Sequence, residues 1–157
     1  MIRKARKTDA DAIKLIATLA WQQAYSDLIP AEVSNEFLET NYNTETILEK
    51  IKNDGVVVAT IDKLIVGFAH FRNHEDHTHL QTIYVLPTHQ KQGLGTDLLK
   101  RVEKESKKTG ALLVLELENG NKIGDTFYKR RGFEEFEYRA DQLHGHPVKT
   151  KVMKKTV

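Results

Sequence analysis

Apolar residues recur with two different spacings along this chain, and each change of spacing marks a new element. Ile13, Ile16, Ala17, Ala20 and Ala24 are three and four apart, which predicts an amphipathic helix from about Asp9 to Tyr25, with Thr8 as N-cap and Asp11 three positions later. Ile2 to Arg6 alternates weakly before it, as a half-buried strand does. Pro30 can open a short helix through Leu38, and Thr44 can cap another through about Ile51. From Val56 the period shortens. Val56 to Ile61 and Leu64 to Phe71 are β-branched or aromatic runs separated by Asp62-Lys63, the pattern of a hairpin. After a polar connection, His74 to His77, a third run spans Leu80 to Leu86 and is closed by Pro87, which has no N–H to give a ladder.

Helical spacing returns at Leu94, Leu98, Leu99 and Val102, in a helix that ends near Thr109-Gly110, and a strand from Ala111 to Leu117 follows at once. Strand, helix and strand with short joints make a parallel crossover. A last helix from about Asn121 to Arg131 stops at Gly132, and Phe133 to Arg139 and Val148 to Lys155 add two strands. The expected class is α/β: a mixed, mostly antiparallel seven-stranded sheet with a parallel central strand pair and helices on both faces.

At 157 residues the chain suits one domain, 1–157, with a single sizeable core. Cysteine is absent, which excludes disulfides, thiolate metal sites and a cysteine nucleophile. The first seven residues carry four basic side chains without the apolar core of a signal peptide, so a cytoplasmic location is expected. With 24 Lys and Arg against 22 Asp and Glu, the net charge of +2 gives no field for nucleic acid, and no apolar run is long enough for a bilayer. The basic segments Lys100 to Lys108 and Lys149 to Lys155 read as solvated faces, so neither nucleic acid nor membrane is an expected partner.

Chemistry concentrates in Gln90-Lys91-Gln92-Gly93-Leu94-Gly95-Thr96, between a strand end and a helix start. Glycines let the backbone approach a ligand, and free N–H groups at the helix start favour a phosphate or pyrophosphate. A P-loop is excluded because Lys91 precedes the glycines and Asp97 follows Thr96, and a dinucleotide fingerprint fails because its third glycine position is Leu98.

Gln90-x-x-Gly93-x-Gly95 after Leu80-x-x-Ile83-Tyr84-Val85-x-Pro87 resembles the acetyl-CoA motif of the GCN5-related N-acetyltransferases, the GNAT family. Asn121-x-x-Gly124-x-x-Phe127-Tyr128-x-x-x-Gly132-Phe133 resembles that family's following helix, where alanine is commoner than Gly124. The resemblance implies acetyl-CoA as cosubstrate, with backbone groups of Ile83, Tyr84 and Val85 offered to the pantetheine arm and acetyl carbonyl. It also implies that the amides from Gln90 through Lys91, Gln92, Gly93, Leu94 and Gly95 to Thr96 hold the pyrophosphate and that Asn121 touches the pantetheine arm. Gln90 fills a position where arginine is frequent in the family. The oxyanion of the transfer would meet the N–H of Val85 or a neighbour.

Acetyl transfer to an amine needs an acid for the leaving thiolate and a base for the amine. Tyr128 matches the family's acid, and a phenol with a free pKa near 10 is protonated at neutral pH. Glu116, in Leu115-Glu116-Leu117, matches the base of the branch that acetylates protein N-termini, and burial on an interior strand would suit it by raising its pKa. It shares a strand face with Glu118, so a solvent-facing charge is the other reading. His79 is a second candidate base. His70, His74, His77 and His79 with Glu75 and Asp76 fit no familiar ligand spacing, and no metal is expected.

For the acceptor, Trp21, Tyr25, Asp27 and Glu32 combine aromatic walls with carboxylates, which suits a cationic amine; Trp21 serves equally as a core anchor. Trp21 to Pro30 and Thr150 to Lys154 resemble a bacterial branch of polyamine acetyltransferases, which makes a small amine such as a polyamine the first expectation. Glu116, by contrast, favours protein N-termini, and Tyr138 and Gly145 in the last loop fit either acceptor. A protein lysine acetyltransferase and a non-catalytic acyl-CoA-binding module are further alternatives, and pairing of sheet edges would allow a homodimer.

Overall fold

Asp62 and Lys63 both adopt left-handed backbone angles (φ 50° and 69°), the geometry a two-residue hairpin demands, and they join β2 (Gly55–Ile61) to β3 (Leu64–Asn73). The same device recurs at His144 and Gly145 (φ 46° and 80°), between β6 (Glu134–Leu143) and β7 (His146–Thr156). The computed structural model describes residues 1–157. Its remaining elements are β1 (Ile2–Lys4), α1 (Ala10–Tyr25), α2 (Ala31–Asn41), α3 (Thr44–Asn53), β4 (Thr78–Val85), α4 (Leu94–Ser106), β5 (Leu112–Glu118) and α5 (Lys122–Arg130). All seven strands form one sheet in the order β1-β2-β3-β4-β5-β7-β6, antiparallel except for the parallel pair β4 and β5. The expected fold class is therefore observed.

Alternation along the strands sorts the core into two layers. Val57, Ala59 and Leu80 pack under α4 through Leu98, Leu99 and Val102, with Tyr128 and Phe133 from the α5 region beside them. Val56, Val58 and Phe68 face the other way, against Ile13, Ile16 and Ala17 of α1, Leu38 of α2 and Ile47 of α3. No helix is long and apolar enough to cross a membrane.

Several boundaries move from those expected. Thr8 does not cap α1. A 3-10 turn, Lys7–Asp9, intervenes, and the buried Asp9 carboxylate accepts the Arg6 N–H at 2.7 Å while gripping the Arg3 guanidinium at 2.8 and 3.0 Å. Asn43, not Thr44, caps α3, accepting the Thr46 N–H at 2.8 Å. The last two strands are longer than their apolar runs, because β6 is an exposed edge whose residues need not alternate. Tyr138 consequently lies within β6 and not in the last loop.

Candidate active site

The site begins with a counting irregularity in β4. His70 faces Thr82 and Phe71 faces Leu80, so Gln81 is an extra residue without a partner on β3. Leu80 therefore packs on the α4 side, whereas Thr82, two positions on, turns its hydroxyl to Tyr42 of the opposite layer. Pairing between β4 and β5 ends at the same place, with Leu80 opposite Leu115 as its last pair. Beyond it the two parallel strands part. The opening holds a cavity of about 120 Å³ that reaches Ile83, Val85, Gln90, Glu116, Asn121 and Tyr128.

Backbone polarity in this opening follows from the ladder. Leu86 N–H donates to the Val66 carbonyl at 2.8 Å, so the even-numbered residues Thr82 and Tyr84 address β3 while Ile83 and Val85 direct their backbone groups toward the gap. Tyr84 thus differs from the expectation for its backbone, and its ring packs with Tyr42 and Phe68. The Val85 carbonyl accepts from Gln90 Nε2 at 3.1 Å, and Gln90 also exchanges hydrogen bonds of 2.7 and 3.1 Å with Gln23 on α1.

Tyr128 lies on the buried face of α5, edge-on to Phe127 and Phe133, with its ring along the cavity. Burial, and next the neighbouring Tyr25, push its phenol well above the ordinary value, so it stays protonated. Asn121 is buried and caps α5 by accepting the Gly124 N–H at 3.0 Å, and it donates to the Tyr25 hydroxyl at 3.0 Å. That contact brings Tyr25 to the cavity wall.

Glu116 lines the same cavity from β5, but the expectation of burial is not met: its side chain is 41% exposed and ion-paired with Arg139 Nη2 at 2.5 Å. Arg139 sits on β6, two strands away, and reaches across β7. His79 Nε2 stands 3.9 Å from the same Glu116 oxygen, Oε1, and its Nδ1 meets Gln81 Nε2 at 2.7 Å. Burial holds the His79 imidazole below its ordinary pKa although Glu116 pulls the other way. Glu118 is the carboxyl on this face whose pKa is raised by burial.

The glycine loop enters α4 through Lys91 (φ 63°) and Gly93 (φ 84°). The first backbone bond of α4 runs from Asp97 N–H to the Gly93 carbonyl, so the N–H groups of Leu94, Gly95 and Thr96 have no helical acceptor, and Gly93 has no side chain to cap them. Gly95 lies under Phe127, where a Cβ would stand 3.0 Å from the ring. These amides, with the opening beside them, suit an acyl-CoA: an anion at the helix start and an extended arm between the strands. Arg131, absent from the expected set, crosses from the end of α5 to Thr96 of α4.

Other expected residues do not converge here. Trp21 is a core side chain, stacked on Phe37 at 4.0 Å, and Asp27 and Glu32 are exposed outside the cavity. The histidines disperse as well: His70 bonds Asp54, His77 bonds Asp76, and His79 bonds Gln81. A larger hollow of about 490 Å³ opens at the opposite ends of β2 and β3, near Asp54, Arg72 and Arg101, and shares no residue with this site. The contacts of Arg139 and Arg131 had no signal in the sequence, because they depend on strand order and helix packing.

Residues 52–135 match the family described as the acetyltransferase (GNAT) domain. This chain belongs to that family and is an N-acetyltransferase. It is similar to a spermidine N(1)-acetyltransferase of Thermoplasma acidophilum, 26% identical over 140 residues that cover 85% of this chain and 87% of that protein. Among solved structures, the PaiA N-acetyltransferase of Thermoplasma acidophilum in complex with coenzyme A superposes with a TM-score of 0.89 at 22% identity, covering 100% of this chain and 98% of that one. The ribosomal-protein-S18-alanine N-acetyltransferase of Escherichia coli superposes at 0.74 with 23% identity, covering 98% and 91%. At these identities the two structures speak to the fold.

Proposed function

We propose that this chain transfers the acetyl group of acetyl-CoA to a primary amine of a polyamine by direct attack in the opening between β4 and β5. The observation that carries the reading is that opening, where Tyr128, Glu116 and the backbone of Val85 line one cavity. The spermidine N(1)-acetyltransferase relative supports the acceptor.

The thioester supplies an activated acetyl carbon. Glu116 takes the proton of the attacking amine, directly or through one water, while the N–C bond forms. The Val85 N–H, turned toward the gap, donates to the carbonyl oxygen as negative charge builds there. Tyr128 gives its proton to the sulfur as the C–S bond breaks, and regains one from solvent. Tyr25, fixed by Asn121, forms the acceptor-side wall.

The test is thiol release from acetyl-CoA with spermidine, spermine, amino acids, aminoglycosides and short peptides, run beside Tyr128→Phe. Turnover on a polyamine is expected, with a loss of about 10²-fold or more in kcat for Tyr128→Phe and unchanged acetyl-CoA affinity. Preference for a peptide N-terminus would replace the polyamine with a protein acceptor. Binding of acetyl-CoA without turnover on any amine would favour an acyl-CoA-binding module.

A further inference from the structure

Gln90 places no charge at the start of α4, since its side chain is a neutral amide, and that amide is turned to Val85 and Gln23. Lys91 is the sole cation within the glycine loop, and it is exposed and makes no ion pair. A fixed cation arrives from another element. Arg131, just beyond α5, lies over the Phe127 ring at 3.8 Å and donates from Nη1 to the Phe127 carbonyl at 2.9 Å. Its Nε and Nη2 both donate to Thr96 Oγ1, at 2.9 and 2.6 Å.

This arrangement has a consequence for Thr96. A hydroxyl has two acceptor positions and one proton. With both positions taken by the guanidinium, the Thr96 O–H is committed to donating, and no protein group accepts it. Arg131 keeps one free N–H on each terminal nitrogen and has no carboxylate partner. Beside them stand the unpaired amides of Leu94, Gly95 and Thr96. These groups are all donors, and although the Asp97 carboxylate follows in the same turn of α4, their complement is a group rich in acceptor oxygens and negative charge, a phosphate.

We infer that Arg131 is the phosphate-binding cation of the coenzyme site, supplying from the end of α5 the charge that Gln90 does not. This rests on the reading that acetyl-CoA lies across the glycine loop. The Phe127 ring and carbonyl pre-order the guanidinium, so little side-chain freedom is lost on binding. Gly95 is required underneath, since a Cβ there would press on the ring that carries Arg131.

Calorimetric binding of coenzyme A, dephospho-coenzyme A and pantetheine to the wild-type protein and Arg131→Gln tests this. The wild type should prefer coenzyme A to pantetheine. Arg131→Gln should bind coenzyme A about tenfold more weakly at low salt, with pantetheine unaffected and with a smaller salt dependence. A loss that persists with dephospho-coenzyme A assigns Arg131 to the pyrophosphate, and a loss that vanishes assigns it to the 3′-phosphate; both support the inference. Arg131→Lys should retain part of the affinity, and Thr96→Val, which keeps the charge but frees it, should fall between. These two also serve if Arg131→Gln does not fold. Wild-type affinity for coenzyme A in a folded Arg131→Gln, or an equal loss for pantetheine, overturns the inference and leaves the loop's role intact. Equal wild-type affinity for coenzyme A and pantetheine would instead overturn the placement of phosphate on the loop, and the inference with it.

Discussion

Asn121 donates its side-chain amide to the hydroxyl of Tyr25 at 3.0 Å, joining the residue that starts α5 to the residue that ends α1. The other end of the same amide caps α5. One side chain thus sets both the helix that carries Tyr128 and the wall across from it. Asn121→Ala should destabilise the protein by roughly 2–3 kcal/mol, combining a lost cap with an unpartnered buried hydroxyl. Tyr25→Phe should cost about 1 kcal/mol or less. Chemical denaturation of the two single variants and the double variant measures their coupling, and additive effects would deny the link.

Glu116 and Glu118 share a strand face, and only Glu116 lines the cavity. Glu116→Gln should lower kcat/KM for a polyamine by 10²–10⁴-fold at neutral pH, a typical span for a general base. The deficit should shrink at alkaline pH, where the amine loses its proton unaided. Glu118→Gln should change the rate little. A Glu116→Gln deficit that is constant from pH 7 to 10 would assign it binding and not proton transfer.

His70 makes the fold sensitive to acid. Burial pushes its imidazole down to about 4, against an ordinary 6.5, although Asp54 accepts from Nε2 at 2.7 Å. Burial opposes ionisation of Asp54 too, but hydrogen bonds from His70 and Arg72 outweigh it and hold the carboxyl below its usual range. Between pH 6.5 and 4 the unfolded chain takes up a proton at His70 that the folded chain refuses. Stability is held above that window and should fall on acidification through it, by a total on the order of 3 kcal/mol. Melting temperature against pH records the fall, and His70→Gln should flatten it.

Gly110 closes the turn into β5 at φ 90°, where a Cβ would stand 2.4 Å from the Asp76 carbonyl oxygen. Backbone cannot yield as a side-chain tip does. Gly110→Ala should therefore destabilise by about 2–4 kcal/mol, read as a lower denaturation midpoint with an unchanged slope. A neutral result would show that the turn can adopt a second geometry.

Periodicity was enough for the elements and for the parallel crossover, because Leu94, Leu98, Leu99 and Val102 and the runs around them follow one period each. The glycine loop and Tyr128 were legible from motif spacing. Gln81 was not: Leu80-Gln81-Thr82 reads as ordinary alternation, and an extra residue shows only when β3 is laid beside it. Asp9 and Thr8 are both capping types, so the 3-10 turn that chooses between them has no mark in composition. Glu116 reads equally as interior, from its apolar neighbours Leu115 and Leu117, and as solvent-facing, and the register of β5, β7 and β6 decides between them by setting it beside Arg139 in partial exposure. Arg131 reads as a cation at a helix end, and packing redirects it to another helix.

The opening in the sheet is a matter of arithmetic before it is one of chemistry. One surplus residue in β4 breaks the odd-and-even alternation of the strand, and from that point its main chain stays on β3 but is free of β5. No side-chain replacement at Gln81 alters that count, so the slot can survive extensive substitution of the residues around it. Removal of a single codon there would restore the tally and seal the strands edge to edge, while Thr82 through Val85 kept the layers they already occupy.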